Sequence, residues 1–131
     1  MKIFFKAPSK NKYLVIDSIT KQLDAFFEKD KIEYSLIDKI GESLNLYVLL
    51  KSLILRPNFN LKKIYKNYLE IYIEETQPEF IFTYQDLNPY LLGLNISRNI
   101  KFIIIQNGAR YLINNTDVIK GNLPSNFHFL K

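Results

Sequence analysis

The residues best suited to chemistry in this chain are Asp86, Asn88, Gln106, Asn107, Gly108 and Arg110, which fall in two short polar tips. Each tip follows an apolar run. Phe80-Ile81-Phe82-Thr83-Tyr84 opens into Gln85-Asp86-Leu87-Asn88-Pro89, and Phe102-Ile103-Ile104-Ile105 opens into Gln106-Asn107-Gly108-Ala109-Arg110. A carboxylate such as Asp86 can take a proton from a hydroxyl or hold one by hydrogen bonding. The amides of Gln106 and Asn107 offer donors and acceptors, and Gly108 permits close backbone approach to a ligand. The planar fork of Arg110 suits a phosphate or a carboxylate. Each also has a plainer reading. Asn88 can cap the helix that Pro89 opens, Asn107-Gly108 is a common turn dipeptide, and Arg110 can pair with Asp117.

These side chains act together only if strands bring them to one rim. Bulky runs without polar alternation are the pattern of strands buried on both faces, as in parallel sheets covered by helices. Such sheets bind ligands just beyond the carboxyl ends of their strands. Tyr13-Leu14-Val15-Ile16 predicts a first strand ending in Asp17-Ser18. A helix over 19–29 follows, with Ile19, Leu23, Phe26 and Phe27 on one face, and then an edge strand over 32–37. Ser43 is the expected cap of a helix over 44–55, which is apolar nearly all round and so expected to be covered on its outer side. Arg56-Pro57-Asn58 ends it.

A second helix over 61–76 sets Leu61, Ile64, Tyr65, Tyr68, Ile71 and Tyr72 on one side. Lys62, Lys63, Lys66, Asn67, Glu70 and Glu74 take the other. A third strand over 80–84, a helix over 90–97 and a fourth strand over 100–105 complete the pattern, and 111–131 reads as a loose segment of loop chemistry. The order predicts a three-layer α/β domain, Rossmann-like or flavodoxin-like, with a mostly parallel sheet of four to five strands ordered 2-1-3-4. Its switch point falls between the strand ending at Asp17 and the one ending at Tyr84. The expected cleft is lined by Asp17, Ser18, Thr83, Asp86 and Asn88, with Gln106, Asn107, Gly108 and Arg110 from the next strand. Asp86 is the first candidate for catalysis. Glu42, on the rim of the edge strand, is a weaker binding candidate, because a loop acid is more often solvated.

Composition narrows the class. The 131 residues suffice for one domain with a proper core, and the lack of cysteine excludes disulfides and thiolate metal sites. His128 has no cysteine, histidine or acid cluster beside it in sequence, so no metal site is expected. Met1 to Lys6 is too short an apolar stretch for a signal peptide, and a cytoplasmic domain is expected. The net charge of +5 comes from fifteen lysines and three arginines against thirteen acids. The lysines are scattered, with only Lys62-Lys63 adjacent, so no nucleic-acid partner is expected. Attraction to anionic substrates or to the inner membrane surface stays open. There is no Gly-x-Gly-x-x-Gly, Walker loop, serine elbow or cysteine nucleophile.

Taken together, four pieces resemble the amino-terminal half of bacterial surface carbohydrate biosynthesis proteins, which are similar to two-domain transferases of the GT-B architecture. They are Val15-Ile16-Asp17; Ile37-Asp38 leading to Gly41-Glu42-Ser43-Leu44-Asn45; Phe82 to Pro89; and Ile105-Gln106-Asn107-Gly108-Ala109-Arg110. The sequence departs from the family at Leu87, where a second Asn is common. The resemblance covers residues 5–110 and implies that 1–110 is a Rossmann-like domain, with 111–131 leading towards a second one. It implies a glycosyltransferase-like role in capsule or lipopolysaccharide synthesis, not exercised by this half alone. The partners implied are a glycan or lipid-linked acceptor and a second Rossmann-like domain or partner chain. No cofactor is expected beyond a nucleotide-activated donor held by that second domain. The rival expectation is a stand-alone flavodoxin-like binding or interaction module without catalysis.

Overall fold

The structure is a computed structural model that describes residues 1–16, 25, 27–38, 42–83, 91, 93–96 and 99–105, with the backbone of 127–130. Along the chain these form β1 (Lys2–Phe4), β2 (Tyr13–Ile16), β3 (Tyr34–Ile37), β4 (Ser43–Asn45), α1 (Leu46–Leu55), α2 (Leu61–Thr76), β5 (Phe80–Thr83), β6 (Lys101–Ile105) and β7 (Phe127–Leu130). Residues 25 and 27–29 are also helical. The molecule is an α/β protein in which, among the described residues, every strand pairing is parallel. Five strands form the main sheet in the order β3-β2-β5-β6-β7, and β1 and β4 form a separate pair.

Burial explains the apolar runs. Leu14, Val15 and Ile16 of β2 have no exposed surface. Leu14 and Ile16 join Ile81 and Phe102 in a core roofed by Leu69, Ile71 and Ile73 of α2 and Val48 of α1. Val15 packs with Phe27 on the opposite face, against Tyr34, Leu36 and Phe82. Helical residues thus cover the sheet on both sides. A strand with no wet face cannot alternate polar and apolar residues.

Helix α2 begins at Asn60, whose side chain accepts from the Lys62 N–H at 3.0 Å. It ends at Gln77, whose left-handed backbone (φ 53°) returns its N–H to the Ile73 carbonyl, and Pro78 follows. Its middle, Tyr68 to Ile73, is buried all round between the sheet, α1 and the 94–96 segment. The Thr76 carbonyl accepts from the Asn11 N–H at 3.0 Å, so α2 finishes beside the amino end of β2. It runs back against the strands, and its first turn lies towards their carboxyl ends.

Several expectations are corrected. Ser43 does not cap α1. It pairs with Lys2 in the small sheet, and Asn45 caps instead, accepting from the Val48 N–H at 3.1 Å. Leu61 is exposed rather than part of the core face; it opens α2, whose buried residues begin at Tyr68. Glu70, expected on the polar side, is only 3% exposed. On the outer face of α1, Tyr47, Leu50, Ile54 and Leu55 are exposed within this single chain. Residues 93–96 are not helical, as a helix interrupted by Gly93 would explain. Finally, 111–131 is not wholly loose. Residues 127–130 form β7 beside β6, a pairing that supplies ladder hydrogen bonds to a run too short to announce itself.

Candidate functional site

The direction in which successive strands are added to the sheet reverses between β2 and β5. The connection from β2 leads outwards to β3, whereas the connection from β5 leads the other way to β6. Ile16 of β2 is in register with Thr83 of β5, and Thr83 with Ile104 of β6. Three strands therefore end at one level, about 4.8 Å apart, on either side of a topological switch.

Of the residues expected at this rim, Asp17, Ser18, Asp86, Asn88, Gln106, Asn107, Gly108 and Arg110 lie outside the described residues. Thr83 does stand at the carboxyl end of β5, but it is fully buried. It is flanked there by Ile16 of β2 and Ile104 of β6. Glu42 is exposed, and its carbonyl accepts from the Lys2 N–H at 2.8 Å. It leads into β4 in the two-stranded sheet, so it is not on a strand end of the main sheet. The pairing of Lys2–Phe4 with Ser43–Asn45 draws it there, a long-range contact without a local signal.

A second concavity was not anticipated. A groove of about 520 Å³ runs between the amino-terminal segment and the edge strand β3, lined among others by Phe4, Phe5, Ser35, Asn45, Tyr68 and Tyr72. The Asn45 N–H donates to the Tyr68 hydroxyl at 3.1 Å, and the Asn45 side chain donates to the Lys6 carbonyl at 3.0 Å. At the amino end, Asn11 donates to the Ser35 hydroxyl at 2.8 Å. The Tyr72 hydroxyl donates to the Leu36 carbonyl at 3.4 Å. Aromatic faces beside hydroxyls and an amide make a wall able to hold a ligand that is apolar on one side and hydrogen-bonding on the other. The signal in the sequence was Tyr68 and Tyr72 at helical spacing, which reads as core until the edge strand is placed.

Burial raises the pKa of Tyr68, and it pushes that of Tyr72 up to about 12, aided by the neighbouring Tyr68 and Asp38. An unfolded phenol ionises near pH 10. The folded state therefore holds the Tyr72 proton more tightly, and its contribution is fully present below about pH 10. It is lost as pH rises from about 10 towards 12, a loss of about 2–3 kcal/mol. Urea unfolding at pH 9 and pH 12 should show this loss in the native chain and a smaller one in Tyr72→Phe. Equal losses would mean that Tyr72 ionises freely in the folded state.

A buried carboxylate lies elsewhere. Glu70 pairs with Arg56, approaches Lys66 at 3.7 Å and accepts from the Asn95 N–H at 2.6 Å. Arg56 also reaches Glu74 at 2.9 Å. With its acceptors occupied inside the protein, this carboxylate clamps the α1–α2 connection and the 94–96 segment to α2. Lys51 is held to Glu75 at 2.5 Å, and that hydrogen bond raises its ionisation. Among the described residues no group of histidines and acids is placed to hold a metal ion, and no helix is long and apolar enough to cross a membrane. Comparison with protein-family models, with curated proteins and with solved structures finds no match.

Proposed function

We propose that this chain is a Rossmann-like, ligand-binding domain that works at the carboxyl ends of β2, β5 and β6. In this reading it is the amino-terminal half of a glycosyltransferase-like protein of bacterial surface polysaccharide synthesis. The observation that carries the site is the reversal of strand order between β2 and β5, because parallel sheets open a crevice at such a point. The transferase reading draws its support from the residues that follow these strands and from their order. Asp86 would meet the acceptor hydroxyl. Gln106, Asn107 and Gly108 would shape the crevice floor, and Arg110 would face a phosphate of the donor or of a lipid carrier. A second Rossmann-like domain would hold most of the nucleotide-activated donor.

The test is transfer by the complete protein. Asp86→Ala and Asn107→Ala should each lower turnover at least tenfold, of the order of a lost acid–base or orienting group, while leaving thermal unfolding unchanged. Wild-type turnover in both variants would remove these residues from the site. Titration of this chain alone with nucleotide sugars should give no binding.

The groove beside β3 favours a second reading, a flavodoxin-like binding module without catalysis. Hydrogen-exchange protection by a bound ligand separates the two. Protection confined to 4–9 and 34–37 supports the module, and protection following Ile16, Thr83 and Ile105 supports the transferase half.

A further inference from the structure

The corner between α1 and α2 holds large apolar side chains out in water. Phe59 is fully exposed, Leu61 is 81% exposed and Ile54 is 78% exposed. Tyr47, Leu50 and Ile54, spaced three and four residues apart, continue this surface along the outer face of α1. The corner is braced rather than slack. Asn58 accepts from the Asn60 N–H at 2.9 Å, and Asn67 donates to the Arg56 carbonyl at 3.0 Å. With Asn60 capping α2 and Arg56 tied to Glu70 and Glu74, the turn is fixed from both sides. Keeping a phenyl ring and two or three aliphatic side chains in water forgoes their burial, which points to something that covers them.

Charge identifies that cover. Residues 54–69 contain Arg56, Lys62, Lys63 and Lys66 and no acid. Glu70 and Glu74 engage Arg56 and Lys66. Among the described residues no ion pair engages Lys62 or Lys63, the one adjacent lysine pair of the chain. An apolar projection beside free cations matches an anionic bilayer: the tip enters the boundary between headgroups and acyl chains, and the lysines meet phosphates. A protein partner would need a socket for a protruding ring and acids for both lysines. A second copy of this corner supplies neither, being itself convex and basic.

We propose that the α1–α2 corner docks the protein on an anionic lipid surface, with Phe59 and Leu61 entering the interface and Lys62 and Lys63 contacting headgroups. The surface is separate from the strand ends, and the proposal does not depend on what they bind. Flotation of the whole chain with vesicles tests it. The protein should float with vesicles of phosphatidylcholine and phosphatidylserine and not with phosphatidylcholine alone. Lys62→Gln with Lys63→Gln should weaken binding about thirty-fold. Phe59→Ser should weaken it about tenfold or more. These side chains are exposed, so unchanged circular-dichroism melts are expected.

The chain has no tryptophan, which makes Phe59→Trp a sole reporter. Its emission should shift to the blue on adding phosphatidylserine vesicles. Absence of flotation, flotation indifferent to these substitutions, or an emission that stays water-like would each overturn the proposal. A lipid-free dimer that Phe59→Ser makes monomeric would do so too, and would assign the corner to a protein interface.

Discussion

Replacing Phe27 with alanine should lower the free energy of unfolding by about 3–5 kcal/mol, the usual cost of emptying a buried phenylalanine site. Phe27 is 1% exposed and fills the face of the sheet opposite α2. Its ring stacks on Tyr34 with centroids 4.8 Å apart, and it meets Phe82 edge-on at 5.5 Å. Tyr13 closes the cluster at 5.8 Å. These rings come from three neighbouring strands, β3, β2 and β5, so one side chain ties the helical layer to both flanks of the switch point. Chemical denaturation of the two proteins measures the difference. A loss under about 1 kcal/mol would mean that this face is filled in another way. Phe27→Leu should recover more than half of the loss, because it leaves a smaller void.

Arg56→Met should cost about 2–4 kcal/mol, because it leaves the Glu70 carboxylate buried without its main counter-charge. Lys66, at 3.7 Å, and the Asn95 N–H offset part of that loss. Arg56 is itself about one-third exposed, so solvent screening holds the figure below that of a wholly buried pair. The sharper measurement is a double-mutant cycle. Arg56→Met combined with Glu70→Met should be less destabilising than either single change, since neither charge is then stranded. Additive costs would show that Arg56 contributes only through packing.

The buried clamp shows where sequence reasoning stops. Glu70 sits among Lys62, Lys63, Lys66 and Glu74 on a helix with a clear polar side, and periodicity assigns it to solvent. It is buried because Arg56, 14 residues earlier in sequence, folds back over it and Asn95 closes from beyond β5. Residues 61–76, by contrast, form the helix that their spacing predicts, because both caps are local: Asn60 before it, and Gln77 with Pro78 after it. Strands β2, β5 and β6 were legible for the same reason, their apolar runs lacking any polar alternation. The start of α1 was displaced by two residues because β1 recruits Ser43 to Asn45, a pairing across some forty residues that leaves no periodic trace. As for the candidate site, Thr83 stands where the apolar run ends, yet its depth depends on the flanking strands β2 and β6.

The backward course of α2 has a geometric consequence. Sixteen residues make a rod about 24 Å long, whereas a four-residue strand spans about 13 Å. With its tail moored at the sheet's entry edge, a rod of this length laid along the strands would carry Phe59 and Leu61 past the plane in which Ile16, Thr83 and Ile105 finish. The foot proposed to rest on a bilayer and the mouth proposed between the strands would then share one aspect of the molecule. A lipid-anchored substrate could reach that mouth by lateral diffusion within the leaflet, while a soluble one would have to enter from the flank.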